Sequence, residues 1–173
     1  GEFYPSVTYV LGTYPKGKHF EDWLKKVGYS ADWIKKKASE EGTAVHLLIE
    51  KYFEGKELNY LNAEGYPKMD TCDLICEIDG ELWVIDFKTS NHLQTTYDLQ
   101  GAAYTQMYKE CFGKEADRIG VLWLKSKSRG VDRSGVKIKG KKWEMFESPR
   151  TQEENLEIFK SVKRIFDLEN PKH

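Results

Sequence analysis

Two β-prone runs meet at a two-residue turn, and no other stretch of this chain restricts its fold as tightly. The runs are Thr71 to Ile78 (TCDLICEI) and Glu81 to Lys88 (ELWVIDFK), separated by Asp79-Gly80. An Asp-Gly pair between such runs specifies a hairpin with a type I′ turn, because both turn residues need positive φ. A two-residue loop also fixes the register. Ile78 then faces Glu81 and, counting outwards, Asp73 faces Asp86 across a non-hydrogen-bonded pair, the kind with the closer side chains. Opposed residues have Cβ atoms about 4.5–5.5 Å apart. Ile75, Leu82 and Val84 share the face of the two acids, while Cys72, Leu74, Cys76 and Ile78 line the other with Trp83, Ile85 and Phe87. A strand pair apolar on both faces is expected to be central in its sheet. Carboxylates at the end of a buried hairpin repel each other unless something compensates them. Their hard oxygens suit Mg²⁺ or Mn²⁺. Lys88 lies two residues past Asp86 and points to the same face. Alone, Asp-x-Lys reads as an ion pair at a strand end; the opposed Asp73 brings metal-assisted chemistry level with that reading.

The rest of the pattern supplies the covering layers. Val7 to Leu11 reads as one or two helical turns, and His19 to Val27 as a short helix stopped by Gly28. Ser30 is placed to cap a longer helix running to about Phe53, with Gly42 a point where it could bend. Residues 56–70 read as a loop with one short element. A helix is expected over Thr96 to Cys111, a strand over Ile119 to Lys125, one or two edge strands between Gly135 and Phe146, and an amphipathic helix over Glu153 to Leu168. This order defines an α/β (α+β) fold, a central mixed sheet flanked by helices with an N-terminal helical arm. The 173 residues suit a single domain. No apolar run approaches the roughly 18 residues of a membrane helix, and no signal peptide is apparent. Gly1-Glu2-Phe3 has the look of a cloning remnant.

The formal net charge is −1, so the whole molecule is not a basic nucleic-acid binder. Its distribution is uneven: eight basic residues, beginning with Lys125, Lys127 and Arg129, face one acid between Lys125 and Lys142. Such a stripe can follow phosphates, or be a solvated hairpin. The aromatic residues Tyr14, Trp23, Tyr29 and Trp33 of the N-terminal arm could stack on unpaired bases or simply pack. Three cysteines, Cys72, Cys76 and Cys111, without regular spacing, argue against a disulfide framework and are too few for a four-cysteine iron–sulfur cluster. They suit a reducing compartment such as a cytoplasm.

The run Ile85-Asp86-Phe87-Lys88-Thr89-Ser90, preceded by Asp73 and followed by Gln100-Gly101-Ala102-Ala103-Tyr104, resembles the RecB-like branch of the PD-(D/E)xK nuclease superfamily. Gly42-Thr43-Ala44-Val45-His46 is similar to that branch's helical histidine motif. The opening Pro5-Ser6-Val7-Thr8 is similar to the start of its single-domain exonucleases. Each motif is weak alone; four in order at this spacing are specific. The resemblance implies a restriction-endonuclease-like core and a metal-dependent exonuclease that cleaves DNA to 5′-phosphate and 3′-OH. It implies His46, Asp73, Asp86 and the Phe87 carbonyl as ligands of one or two Mg²⁺ or Mn²⁺ ions, and Lys88 as the catalytic lysine. Gln100 and Tyr104 would position the site or the DNA. Taken from the residues alone, His46 stands beside an apolar stripe and is ambiguous, and Glu50, one turn further on, is either a solvated carboxylate or a further ligand. The expected partner is DNA that is single-stranded or has a free end. Asp70 departs from the branch, standing where many members have glycine. Two rival readings stay open: a non-catalytic nucleic-acid-binding module on the same fold, and a metal-dependent protein acting on small molecules. Oligomeric state is not legible in these residues.

Overall fold

A computed structural model describes residues 5–53, 72–90, 92–124, 135–136 and 143–171, with the backbone alone at 41, 43–48 and 50–53. The chain groups into two compact units, Gly1–Tyr14 with Pro67–His173, and Pro15–Tyr66.

The second unit is helical. Helix α2 (Lys18–Val27) stops at Gly28, whose φ of 53° a side chain would resist. One 3₁₀ turn (Gly28–Ser30) leads into α3 (Ala31–Phe53). Helix α3 runs through Gly42 without interruption. An isolated helical glycine costs only about 1 kcal/mol relative to alanine, too little to interrupt a helix of this length. Trp33 is 66% exposed on its surface, with Lys37 Nζ 5.4 Å from the ring centroid.

The first unit carries the sheet. Strands β1 (Leu74–Ile78) and β2 (Glu81–Lys88) form the expected hairpin, with positive φ at both Asp79 (52°) and Gly80 (82°). The register runs from Ile78↔Glu81 to Leu74↔Ile85, as the turn dictates. The chain then crosses through α4 (Thr96–Phe112) to β3 (Arg118–Trp123), which pairs with β2 in parallel. Strand β4 (Glu144–Glu147) adds antiparallel to β3, giving a mixed sheet in the order β1-β2-β3-β4. Two expectations are corrected. Strand β1 is an edge of the described sheet, with Ile78 38% exposed, and of the two hairpin strands β2 alone is interior, with Val84 to Phe87 buried. Strand β3 begins one residue earlier than expected and ends at Trp123, because its bounds follow pairing with β2 rather than its own apolar run.

One layer of helices covers the face that carries Val84. Helix α4 lies against β2 and β3, and α1 (Val7–Leu11) and α5 (Gln152–Glu169) pack onto α4. Their shared core comprises Val10, Val84, Leu99, Ala103, Val162 and Phe166, among others. Burying a side chain such as Leu99, which is fully enclosed, stabilises the fold by roughly 1.5–3 kcal/mol. The edge of Tyr9 meets the Phe166 ring at 5.2 Å, joining α1 to α5. Helix α5 starts in a reciprocal capping box of Thr151 and Glu154. Gly101 sets how closely α4 approaches the sheet, since a Cβ there would collide with Ile119 Cγ2. No helix among the described residues is long and apolar enough to cross a membrane.

Candidate active site

Alternation along β2 sends Leu82, Val84, Asp86 and Lys88 to the helix-covered face. Asp86 and Lys88 therefore sit under the N-terminal half of α4. Asp73 reaches the same place by a different device. Strand β1 ends at Leu74 and Asp73 occupies a bend, so the backbone ladder stops one pair short of the acids. The Phe87 N–H, which a continuing ladder would bond to a backbone carbonyl, instead donates to Asp73 Oδ2 at 2.8 Å. The acids are neighbours, as the hairpin register requires, but Asp73 is fixed by its own side chain. The carbonyl of a strand residue points to the same side as its N–H, so the Phe87 carbonyl faces the edge where Asp73 lies.

Asp86 is 4% exposed. Burial pushes its carboxyl up to about 6, Lys88 pulls it down, and the charge of Asp73 raises it further. Lys88 Nζ lies 2.5 Å from Asp86 Oδ2. The contact is a buried ion pair. The ammonium donates its aligned bond to Gln100 Oε1 at 3.0 Å. The Gln100 amide nitrogen donates to Tyr104 Oη at 2.8 Å and reaches Thr8 Oγ1 at 3.4 Å. A polar chain thus runs Asp86–Lys88–Gln100–Tyr104, from the sheet into α4. It can hold a cationic group beside two acids in a half-buried setting, where charge acts more strongly than in water.

Helix α4 is itself anchored by a second polar cluster. Asp98 Oδ2 accepts from Ser148 Oγ at 2.9 Å and from Arg150 Nη2 at 3.2 Å. Arg150 Nε donates to Asn155 Oδ1 at 2.8 Å, and Asn155 Nδ2 donates to Ser148 Oγ at 3.0 Å. This ties the first turn of α4 to the start of α5, two residues before Gln100.

Of the candidate residues, the structure brings together Asp73, Asp86, Phe87, Lys88, Gln100 and Tyr104. The backbone of His46 and Glu50 is helical, within α3, but their side chains lie outside the described residues, as do Lys125, Lys127 and Arg129 entirely. Among the described residues no third His, Cys, Asp or Glu joins the two acids in a metal-binding group. Cys72 is close by, but burial pushes its thiol up to about 12 and it donates weakly to the Leu74 carbonyl. It is held as a neutral thiol. Sequence reasoning missed Tyr97 and Ser90, and took Thr8 only as part of the opening run. Tyr97 had a usable signal, since it precedes Gln100 by three residues and so shares its helix face.

Comparison of the sequence with protein-family models and with curated proteins gives no match.

Proposed function

We propose that this chain is a divalent-metal-dependent deoxyribonuclease of the PD-(D/E)xK type, acting as an exonuclease on DNA with a free or unpaired end. The observation that carries the reading is the placement of Lys88 between Asp86 and Gln100, with Asp73 beside Asp86. Binding alone would not call for two adjacent acids in a buried setting. A hairpin bearing both acids, followed by a helix and a strand parallel to β2, is also the order expected of a restriction-endonuclease-like core.

The donor set fits a hard cation. Asp86 is buried with the Asp73 carboxyl beside it, and carboxylate oxygens are the preferred ligands of Mg²⁺ and Mn²⁺. Asp73, Asp86 and the Phe87 carbonyl would hold the ion. When bound, such an ion supplies Lewis acidity and makes water a nucleophile near neutral pH. Asp73, held by the Phe87 N–H, and Asp86, carried on β2, would fix the position of the reacting centre. Lys88 presents an ammonium that orients the attacking water or stabilises charge developing on the phosphate. Gln100 keeps that ammonium from turning away. In the overall reaction the water oxygen bonds to phosphorus, the P–O3′ bond breaks, and the 3′ oxygen leaves with the electron pair and is protonated. The products are a 5′-phosphate and a 3′-OH.

The test is end-labelled single- and double-stranded DNA incubated with Mg²⁺ or Mn²⁺, comparing wild type with Asp86→Ala. Metal-dependent release of nucleotides by the wild type and its loss in the variant are expected. An equal rate in both sinks the site. Binding without cleavage by the wild type favours the non-catalytic module.

A further inference from the structure

Lys88 has a third neighbour besides Asp86 and Gln100. Its Nζ sits 4.9 Å from the centroid of the Tyr97 ring. Tyr97 is in the first turn of α4, one turn before Gln100, so ring and amide reach the ammonium from the same helix face. At its far end the ring's hydroxyl lies beside the Ser90 side chain. Ser90 is itself fixed: its carbonyl accepts from Trp123 Nε1 at 2.7 Å, and its hydroxyl donates to the His92 carbonyl at 2.8 Å. Just before it, the Lys88 carbonyl accepts from the Leu124 N–H at 2.8 Å. The segment that follows β2 is therefore pinned to the end of β3, and the Tyr97 hydroxyl lies against that segment.

A lysine has a long flexible stem and strongly favours water. Two point contacts leave it able to swing about the line that joins them. An aromatic face closes the remaining side, and its negative quadrupole attracts the ammonium, more so when partly desolvated. The Lys88 side chain is only 18% exposed.

We propose that Tyr97 is a positioning residue for Lys88, its ring face holding the ammonium in line with Asp86 and Gln100. Its part in hydrolysis rests on the nuclease reading; the restraint of the lysine does not. The ring carries the effect, and the hydroxyl only steadies the ring.

Two substitutions separate these contributions. Tyr97→Phe keeps the aromatic face, and Tyr97→Leu keeps bulk but removes it. With Mg²⁺ and end-labelled DNA, Tyr97→Leu is expected to lower kcat by about 5- to 30-fold with KM within about twofold, the size of one partly desolvated cation–π contact. Tyr97→Phe stays within about threefold of wild type. The second readout needs no activity. Lysines are reductively dimethylated with ¹³C-formaldehyde, which keeps their charge, and the Lys88 methyl signal is assigned by its loss in Lys88→Arg. That signal is expected to be ring-shifted and ordered in wild type and Tyr97→Phe, and mobile in Tyr97→Leu. An unshifted signal in wild type, or an equally ordered one in Tyr97→Leu, overturns the proposal. So does an unchanged kcat in a folded Tyr97→Leu, or a loss in Tyr97→Phe as large as in Tyr97→Leu. An inactive wild type with an ordered, ring-shifted Lys88 sinks the nuclease reading and the role in hydrolysis together, and leaves the lysine–ring restraint standing.

Discussion

The Asp73 carboxylate accepts the Phe87 N–H at 2.8 Å, in the place where a continuing β-ladder would put a backbone carbonyl. One acid is therefore held by the peptide that follows the other. Substituting Asp73 removes a carboxylate and also leaves a half-buried amide without this acceptor, at a cost of about 1–3 kcal/mol. Asp73→Asn can still accept from that amide through its side-chain oxygen. We expect Asp73→Ala to lose both activity and stability, and Asp73→Asn to lose activity while melting close to wild type. Metal-dependent rates and thermal melts of the two variants check this; similar melting of both would show that the amide does not need the side chain.

Asp86 makes the metal-free protein sensitive to acid in an unusual direction. Its folded-state carboxyl is raised to about 6 from 3.8. Between those values the folded state holds a proton that the unfolded state has released. Stability linked to this group is therefore full below about pH 4, falls as pH rises to about 6, and is level above, a loss on the order of 3 kcal/mol. In chelator, Asp86→Asn should gain stability relative to wild type as the pH rises from 4 to 7. Added Mg²⁺ should raise the melting temperature of wild type at pH 8 and leave that of the variant unmoved. Parallel pH profiles for the two proteins in chelator would contradict this.

Lys88 acts through one compact ammonium, so its replacement should not be conservative in any direction. Lys88→Gln is expected to lower kcat by about 10²- to 10³-fold, as loss of one fixed electrostatic donor does. Lys88→Arg should fail to restore it, since a planar guanidinium cannot take the same place between Asp86 and Gln100. Single-turnover cleavage of labelled DNA measures both, and a fully active Lys88→Arg would refute the point-charge role.

Gly101 lets α4 approach the sheet closely enough for Gln100 to reach Lys88. Gly101→Ala adds a methyl where Ile119 Cγ2 stands. Overpacking costs about 1–3 kcal/mol, partly offset by the higher helix propensity of alanine. A net destabilisation of about 1–2 kcal/mol is expected, with kcat reduced because the Gln100–Lys88 bond lengthens. The double variant Gly101→Ala/Ile119→Ala should recover kcat more than it recovers stability. Urea melts and rates on the three proteins decide it.

The Asp98–Arg150 pair should be worth more than a surface ion pair. Asp98 is 8% exposed at its side chain and Arg150 29%. Arg150→Ala leaves a buried charge and is expected to cost about 2–4 kcal/mol. In that background Asp98→Ala should cost less than it does alone. A double-mutant cycle by denaturant unfolding gives the coupling, and additive effects would remove it.

The hairpin was the most legible part of this fold. Asp79-Gly80 dictated both the turn and five cross-strand pairs, because a two-residue loop leaves one register. The helices Thr96–Phe112 and Gln152–Glu169 were also close to expectation, since their caps and periodicity are local properties. Strand limits were not, because they depend on a partner elsewhere in the chain. The bend at Asp73 was illegible for the same reason: nothing in the run up to Ile78 says that a side chain will replace a backbone acceptor. Of the candidate site, the acids and Lys88 followed from register. Gln100 and Tyr104 came from resemblance, and the hydrogen bonds that join them to Lys88 depend on how closely α4 packs, which Gly101 hints at only once Ile119 is known to face it. Tyr97 carried no motif at all.

The two halves of the site differ in how far the chain must travel to build them. Asp73 and the Phe87 amide are 14 residues apart and come together when one short loop closes. Gln100 and Thr8 are 92 residues apart, and Lys88 acquires its helix-borne neighbours only after the crossover has docked α4. Short loops close at lower entropic cost, and local pairings form earlier. A growing or refolding chain thus pairs its acids before its lysine is restrained. On the proposed reading, hydrolytic competence would arrive only with tertiary closure.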